Sequence, residues 1–334
     1  MTVPTVTLAP GYSYRPPTED DIRGIIAVMT ALDTSFLGHS DDYDPDDIRE
    51  DWSHLNAETE AWVFIAPDGH MAGYGTETNM GYGQLQIDGY THPDHRGRGI
   101  GSAILALGET RAATQIERQP EGARVVLYNS VLIEDTAAHA LLDARGFSLV
   151  RTHWRMGIEM EAPPPIPEWP AGITLRTFVP GVDERVVFGA IEEAFQDHWG
   201  HTPRTYDEWL ARLNRPNFDP ALWFLAVDST AGEIAGVCTC WLRPAASGWV
   251  GTLAVRRPWR RHGLGLALLY QSFGAFNQRG VASVGLGVDA QSLTGATRLY
   301  ERAGMHPTMR VATFACELRP GVDLSVRELA QTEA

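Results

Sequence analysis

Two tandem domains of the α/β class, each built on a mixed sheet, are predicted by three observations. The chain has 334 residues, which divides by two at about 150 residues per domain. A proline-dense seam falls near the middle, at Ala162-Pro163-Pro164-Pro165-Ile166-Pro167-Glu168-Trp169-Pro170. A strand, a basic glycine-rich turn and an apolar helix recur on both sides of that seam.

The seam sets the boundaries. Five prolines in nine residues cannot continue a helix or a central strand and favour a stiff extended linker. An N-terminal domain over 1–161, a linker over 162–171 and a C-terminal domain over 172–334 are therefore expected. Each half opens with an extended segment, Tyr12 to Arg15 and Ile173 to Phe178. A helical stretch follows in each, Asp20 to Leu32 and Asp183 to Phe195, then a second one, Asp46 to Leu55 and Thr205 to Leu213. Paired apolar strands come next, Ala61 to Ala66 with Met71 to Thr76, and Leu222 to Val227 with Ile234 to Leu242. Asp68-Gly69 is a hairpin-turn signal, and Ala231-Gly232 holds the equivalent place in the second half.

Composition excludes several classes of function. The formal net charge is −15, whereas a nucleic-acid backbone wants a cationic surface, so no nucleic-acid partner is expected. The opening Met1-Thr2-Val3-Pro4-Thr5 has no basic stretch followed by an apolar run, and no run of about 18 apolar residues occurs. A cytoplasmic protein with no membrane partner is the expectation. Three cysteines, Cys238, Cys240 and Cys316, argue against a disulfide framework and fit a reducing compartment. Cys238 and Cys240 lie two apart in an apolar run, so they should face one side of a strand as small buried groups. The acidic run from Asp41 to Asp47 reads as a solvated loop.

The glycine-rich element carries the chemistry. His95-Arg96-Gly97-Arg98-Gly99-Ile100-Gly101 in the first half matches Trp259-Arg260-Arg261-His262-Gly263-Leu264-Gly265 in the second, 164 residues on. Both fit Arg-x-x-Gly-x-Gly ahead of an apolar helix. A second shared element follows in each half: Ala138, Leu141 and Gly146-Phe147 against Ala296, Leu299 and Gly304-Met305, 158 residues apart. Two linked motifs recurring at nearly one period mark a duplication. A strand ending in such a turn is an anion trap. The first-turn N–H groups of the helix have no intrahelical partner, and the helix dipole favours negative charge there. Glycine lets a phosphate approach the backbone closely. Arg256, Arg257, Arg260, Arg261 and His262 concentrate positive charge that the acidic whole lacks. A Walker A loop is excluded because no Gly-Lys-Ser/Thr occurs. The Rossmann pattern is excluded because the glycines sit well into each half, after antiparallel-looking strands.

On these residues the chain resembles the GNAT family of N-acetyltransferases, twice over and across nearly its whole length. It is similar to tandem members such as the mycothiol synthases. The resemblance implies two acyl-CoA N-acyltransferase folds, acetyl-CoA as co-substrate, no metal, and a small-molecule amine as acceptor. In that family the turn cradles pyrophosphate and the preceding strand pairs with the pantetheine arm. Carried over, cofactor contacts are expected at Leu253, Ala254, Val255, Arg260, Arg261, His262, Gly263, Leu264 and Gly265. In the first half they fall at Arg96, Gly97, Arg98, Gly99, Ile100 and Gly101.

The resemblance also implies a catalytic Tyr300, which would donate a proton or a hydrogen bond to the departing thiolate. Leu142 holds that place in the first half and cannot donate, so the second half is expected to be catalytic and the first degenerate. The family's strand carboxylate is missing from Trp249-Val250-Gly251-Thr252-Leu253-Ala254-Val255, while Asp88 matches Thr252 in the first half. Glu192, Glu193, Asp197, His198 and His201 are the other base candidates, expected first as structural or solvent-facing residues. An oxyanion donor is expected among the strand N–H groups near Leu253 to Val255. The expected reaction is direct attack by a primary amine on the thioester. The alternatives are an acyl-CoA-binding module without turnover and a mycothiol synthase acting on a cysteinyl pseudodisaccharide. A duplicated chain can be a monomer with an internal pseudo-dimer, or a homodimer.

Overall fold

The computed structural model describes residues 6–40, 43–196, 198–199, 201–202, 204–214, 217–244, 246–292 and 295–325. The chain forms two compact units. Unit 1 runs to Thr152 and adds Val311–Leu324; unit 2 runs from His153 to Arg310.

Unit 1 opens with β1 (Ser13–Arg15), α1 (Ile22–Leu37), α2 (Pro45–Ser53) and α3 (Ala57–Glu60). It continues with β2 (Ala61–Ile65), β3 (Met71–Gly81), β4 (Gln84–Thr91) and α4 (Ile100–Gln115). It ends in β5 (Val125–Leu132), α5 (Thr136–Asp143) and the start of β6 (Ser148–Glu159). Unit 2 repeats the order as β7 (Ile173–Thr177), α6 (Glu184–Phe195), α7 (Tyr206–Ala211), β8 (Trp223–Asp228) and β9 (Ile234–Leu242). Then come β10 (Gly248–Val255), α8 (Leu264–Gln278), β11 (Ser283–Asp289), α9 (Ala296–Arg302) and β12 (His306–Arg319). In each unit the sheet is antiparallel except for one parallel pair, β4 with β5 and β10 with β11. The mixed α/β class expected from the sequence is what forms.

The domain boundaries differ from a single cut at the seam. The proline run holds no helix or strand, yet the compact units exchange their last strands. His153–Glu159 of β6 pairs with β11 of unit 2, and Val311–Arg319 of β12 pairs with β5 of unit 1. Cutting the chain at the prolines would strip the final strand from both sheets and expose their edges. Composition marks a linker; it carries no signal for a strand exchange.

Local chemistry accounts for the helix boundaries. Asp44 caps α2 by accepting from the Asp46 N–H, with Pro45 at the first helical position. Asp135 caps α5 in the same way through the Ala138 N–H. α1 runs on to Leu37, past the expected end at Leu32. Asp33 is buried there and accepts a 2.6 Å hydrogen bond from the Tyr43 hydroxyl, so a polar residue does not end the helix.

Both units use the same staple between first strand and first helix. Arg15 donates two hydrogen bonds to Asp21, at 2.7 and 2.9 Å, and Arg176 donates two to Asp183, at 2.5 and 2.8 Å. The Arg15 pairing, with the Thr18 N–H, holds the Asp21 carboxyl down to about 2.

The long helix packs onto the sheet through glycine seats. Gly73 and Gly75 of β3 lie beneath Ile100 and Ile104 of α4, while Gly236 of β9 and Gly248 of β10 lie beneath Leu268 and Phe276 of α8. Leu268, Leu269 and Phe276 are fully buried in the unit 2 core. Each such side chain supplies about 1.5–3 kcal/mol through burial.

Candidate active site

The site grows from a strand that leaves its neighbour. β10 pairs with β11 only over Gly248–Val250 against Val284–Leu286, although β10 continues to Val255 and β11 to Asp289. Beyond Val250 the two strands splay, and β10 has no ladder partner on that side. A bulge between Val250 and Thr252 falls at the same point. Leu253, Ala254 and Val255 line the splayed arm, with Ala254 buried toward α6 and the flanking pair packed toward α8. β4 parts from β5 in the same way after Ile87. Its register against β3 carries no bulge at Asp88.

At the end of the splayed strand stands the glycine-rich turn. Gly263 caps α8 in the left-handed conformation (φ +83°), and Gly99 caps α4 likewise (φ +87°). Neither helix has a side-chain cap. This contrasts with α2 and α5, and it leaves the first-turn N–H groups for a ligand. Gly265 lets Leu299 of α9 press on the first turn of α8, as Gly101 does for Leu141 of α5. Ile100 and Leu264, by contrast, are core residues, 1% and 2% exposed.

The basic residues divide into structural and open groups. Arg260 donates from Nε to the Val255 carbonyl at 2.9 Å and from a terminal nitrogen to the Ala194 carbonyl at 3.0 Å. It ties the strand end to α6. Arg256 is held by Glu193 and Glu233. Arg96 pairs with Asp135 at 3.0 Å and lies over the Phe36 ring. Gly97, Arg98, Arg261 and His262 are exposed. Arg261 stands where the first half has Gly97, and it keeps the left-handed backbone, φ +66° against +71°. A side chain in that region costs about 1 kcal/mol. We therefore expect Arg261→Gly to leave the melting temperature equal or higher, read by thermal unfolding. A lower melting temperature would contradict this.

The two turns differ in what covers them. Among the described residues, no atom lies within 4 Å of where a Cβ on Gly263 would stand, whereas the Thr7 carbonyl lies against Gly99. The Ala9 N–H donates to the Arg98 carbonyl at 3.0 Å, and the Tyr12 hydroxyl meets His95 Nδ1 at 2.9 Å.

Tyr300 sits on α9 in the core of unit 2, 8% exposed, with Leu264 and Cys238 in the same cluster. Burial pushes its phenol well above the usual tyrosine range, and the Cys238 thiol adds to this. The hydroxyl therefore stays protonated through neutral pH and is a donor. Leu142 is a 2% exposed core residue in unit 1. Cys238 and Cys240 are fully buried, 3.6 Å apart, on one face of β9.

The other base candidates are dispersed. Glu193 holds Arg256 at 2.7 Å. His198 stacks on Phe195 with ring centroids 4.1 Å apart. His201 lies 3.4 Å from Glu192, and burial, ahead of the opposing Glu192 charge, lowers its pKa. Asp197 lies outside the described residues. Among the described residues, no group of three His, Cys, Asp or Glu side chains is placed to hold a metal, and no helix is long and apolar enough to cross a membrane.

Sequence reasoning missed the recess on the α6 face of β10. Thr239 and Thr252, Cα partners across β9 and β10, line it together with Gly251 at the bulge. Trp209, Phe218, Trp223 and Trp241 line it too, beside Ile191 and Asn217. One signal was available: of ten tryptophans, only Trp52 and Trp62 precede residue 150.

Comparison with known proteins places this geometry. The model of the Acetyltransferase (GNAT) family matches residues 25–147 and again 187–305. The chain is 33% identical over 219 residues to a mycothiol acetyltransferase of Thermobispora bispora, covering 64% of this chain and 70% of the relative. It is 30% identical over 311 residues to a mycothiol acetyltransferase of Frankia casuarinae, covering 88% and 84%. A GCN5-related N-acetyltransferase structure from Sphaerobacter thermophilus superposes with TM-score 0.84 at 41% identity, over 95% of this chain and 99% of that one. A tandem GNAT protein from the clavulanic acid pathway shares the fold, with TM-score 0.67 at 18% identity over 93% and 100%. With its splayed strand, uncapped helix and glycine turn present in both units, the chain belongs to the GNAT acetyltransferase family as a tandem N-acetyltransferase.

Proposed function

We propose that unit 2 transfers the acetyl group of acetyl-CoA to a primary amine of a small molecule. The carrying observation is that one unit combines the open, uncapped α8 turn, the splayed β10 arm and the protonated Tyr300. In this reading the N–H groups at Gly263, Leu264 and Gly265 hold pyrophosphate, with Arg261 and His262 adding charge. Leu253 to Val255 run beside the pantetheine arm. The amine nitrogen attacks the thioester carbon, a C–N bond forms, and a strand N–H steadies the oxyanion. The C–S bond then breaks and the Tyr300 hydroxyl gives its proton to the sulfur. The proton on the new amide nitrogen leaves to solvent, because Thr252 stands where a carboxylate would receive it, and the Tyr300 phenolate takes a proton back from solvent.

The test is release of free CoA from acetyl-CoA in the presence of polyamines, aminoglycosides, amino acids and simple amines. The chain contains no lysine, so release without acceptor reports hydrolysis rather than self-acetylation of lysine side chains. Release with no amine above that background would leave only a binding module. Thr7 to Ala9 lie against the unit 1 turn, so calorimetry on the full chain should find one tight acetyl-CoA site. Two equal sites would refute the proposed division between the units.

The name shared by the curated relatives supports a second reading, the acetylation that a mycothiol acetyltransferase is named for. It ranks second because, among the described residues, the unit 2 recess offers aromatic walls and no carboxylate to a polar acceptor.

A further inference from the structure

The acceptor class can be read from the recess itself; this step rests on the proposed transfer in unit 2. The recess opens at the bulge where β10 leaves β11, on the face toward α6. The nitrogen of an acceptor must reach that point to meet a thioester held along the splayed arm. Its lining is unusual in two respects.

The first is aromatic density. Trp209 and Trp223 are 4% and 8% exposed and stand edge to face, 6.1 Å between centroids. Phe218 meets Trp223 at 5.2 Å and 89°. These contacts fix the rings before any ligand arrives, which lowers the ordering cost of binding. Trp241 is only part-buried. Its indole lies directly over Gly251, where any Cβ would collide with the ring. The glycine and the bulge together thus set an indole face beside the attack point.

The second is that, among the described residues, the lining holds no charged group. Thr239 and Thr252 are its hydroxyl groups, and Asn217 its amide. Unit 1 shows what the alternative looks like. Its Thr76 and Asp88 are Cα partners at the place of Thr239 and Thr252. Burial there pushes the Asp88 carboxyl up. Unit 2 has a threonine where unit 1 has that carboxylate. A polyamine or an aminoglycoside carries several ammonium groups and needs several carboxylates to replace lost water. A recess of rings and hydroxyls instead desolvates an amine and favours its neutral, nucleophilic form.

We infer that the acceptor of unit 2 is a small primary amine carrying an aromatic ring, the ring held among Phe218, Trp223 and Trp241 and the neutral nitrogen directed past Thr252. The ring of such an acceptor replaces water against apolar faces, and the amine needs no counter-charge to enter.

The experiment compares 2-phenylethylamine and tryptamine with n-butylamine and spermidine on the full chain saturated with CoA or acetyl-CoA. Calorimetry on the CoA-loaded chain tests the recess alone. We expect 2-phenylethylamine to bind at least tenfold tighter than n-butylamine, and spermidine no better than n-butylamine. In turnover, kcat/KM should favour the ring-bearing amines by about 30-fold and should rise with pH up to the ionisation of the free amine. Phe218→Ala should lower the ratio of phenylethyl to butyl acceptor about tenfold, with acetyl-CoA affinity as its control for folding. Trp241→Leu is the second variant and should do the same. Equal binding of 2-phenylethylamine and n-butylamine, or tighter binding of spermidine, would overturn the inference. So would a ratio unmoved in both variants. Selective binding without turnover would support the ring-bearing class and refute the proposed transfer.

Discussion

Tyr300→Phe should lower kcat about 100-fold while leaving the dissociation constant for acetyl-CoA within twofold. The expectation follows from where the phenol sits. It is held in the unit 2 core by packing rather than by a polar tether, so losing one oxygen should disturb the fold little. Burial keeps it protonated, and a positioned proton donor is worth about 10²–10⁴ in rate. The lower end applies because a thiolate is a fair leaving group without help. Single-turnover kinetics should place the loss in the chemical step. Because the donor pKa lies well above neutrality, no descending acid limb from Tyr300 should appear between pH 6 and 9. A wild-type kcat in the phenylalanine variant for every accepted amine would exclude the proton-donor role. Loss of acetyl-CoA affinity alongside kcat would instead make Tyr300 a packing residue.

The two units differ in the residues that stand at the corresponding positions. Leu142 fills the Tyr300 position in unit 1 and is equally buried, so the helix keeps its core contact and drops its donor. Unit 1 retains the strand carboxylate Asp88, and unit 2 retains the tyrosine. In the proposed reaction each unit therefore holds one of the two groups that would handle protons. The covered turn at Gly99 and the open turn at Gly263 fall on the same side of this division.

The duplicated turn was legible in the sequence because glycine at a helix start is forced by backbone geometry. Gly97, Gly99 and Gly263 all occupy left-handed positions. Tyr300 was legible only through resemblance, since a tyrosine on a short helix has no pattern of its own. The direction of the Arg260 side chain was not legible. Its motif suggests a phosphate contact, but the guanidinium faces two backbone carbonyls. A spacing cannot show which way a long side chain folds back. The strand exchange was hidden because pairing and register are long-range properties that no local pattern in β6 or β12 carries. The aromatic recess was hidden because its walls come from α7, β8, β9 and the Phe218 loop, segments that converge only on folding.

The largest expected effect on stability lies in unit 1. Glu77 of β3 is fully buried, and neither carboxylate oxygen has a hydrogen-bond partner. Its neighbour Glu60 takes the nearby donors: Arg111, the Gln115 amide at 3.0 Å and the Asn56 N–H at 2.7 Å. Burial first, then the Glu60 charge, pushes the Glu77 carboxyl up to about 7, against a smaller opposing pull from Arg111. In the unfolded chain the same group ionises near ~4.3. The folded state thus binds the extra proton between those values, so stability is highest at acid pH and falls as pH rises toward 7. Above about pH 7 the full penalty is present, at most roughly 3–4 kcal/mol at 1.36 kcal/mol per unit. Glu77→Gln removes the charge and keeps the shape. The variant should gain about 2 kcal/mol over the wild type between pH 5 and pH 8, seen as a widening difference in urea-unfolding free energy. A difference that is constant with pH would mean that the Glu77 carboxyl titrates alike in the folded and unfolded chain, as it would if water reached it. The sign separates this residue from Asp21, whose depressed carboxyl stabilises above about pH 4 and loses its contribution as pH falls toward 2. The two carboxyls pull the pH profile of unit 1 in opposite directions, and substituting Glu77 alone should leave the acid limb and flatten the neutral one.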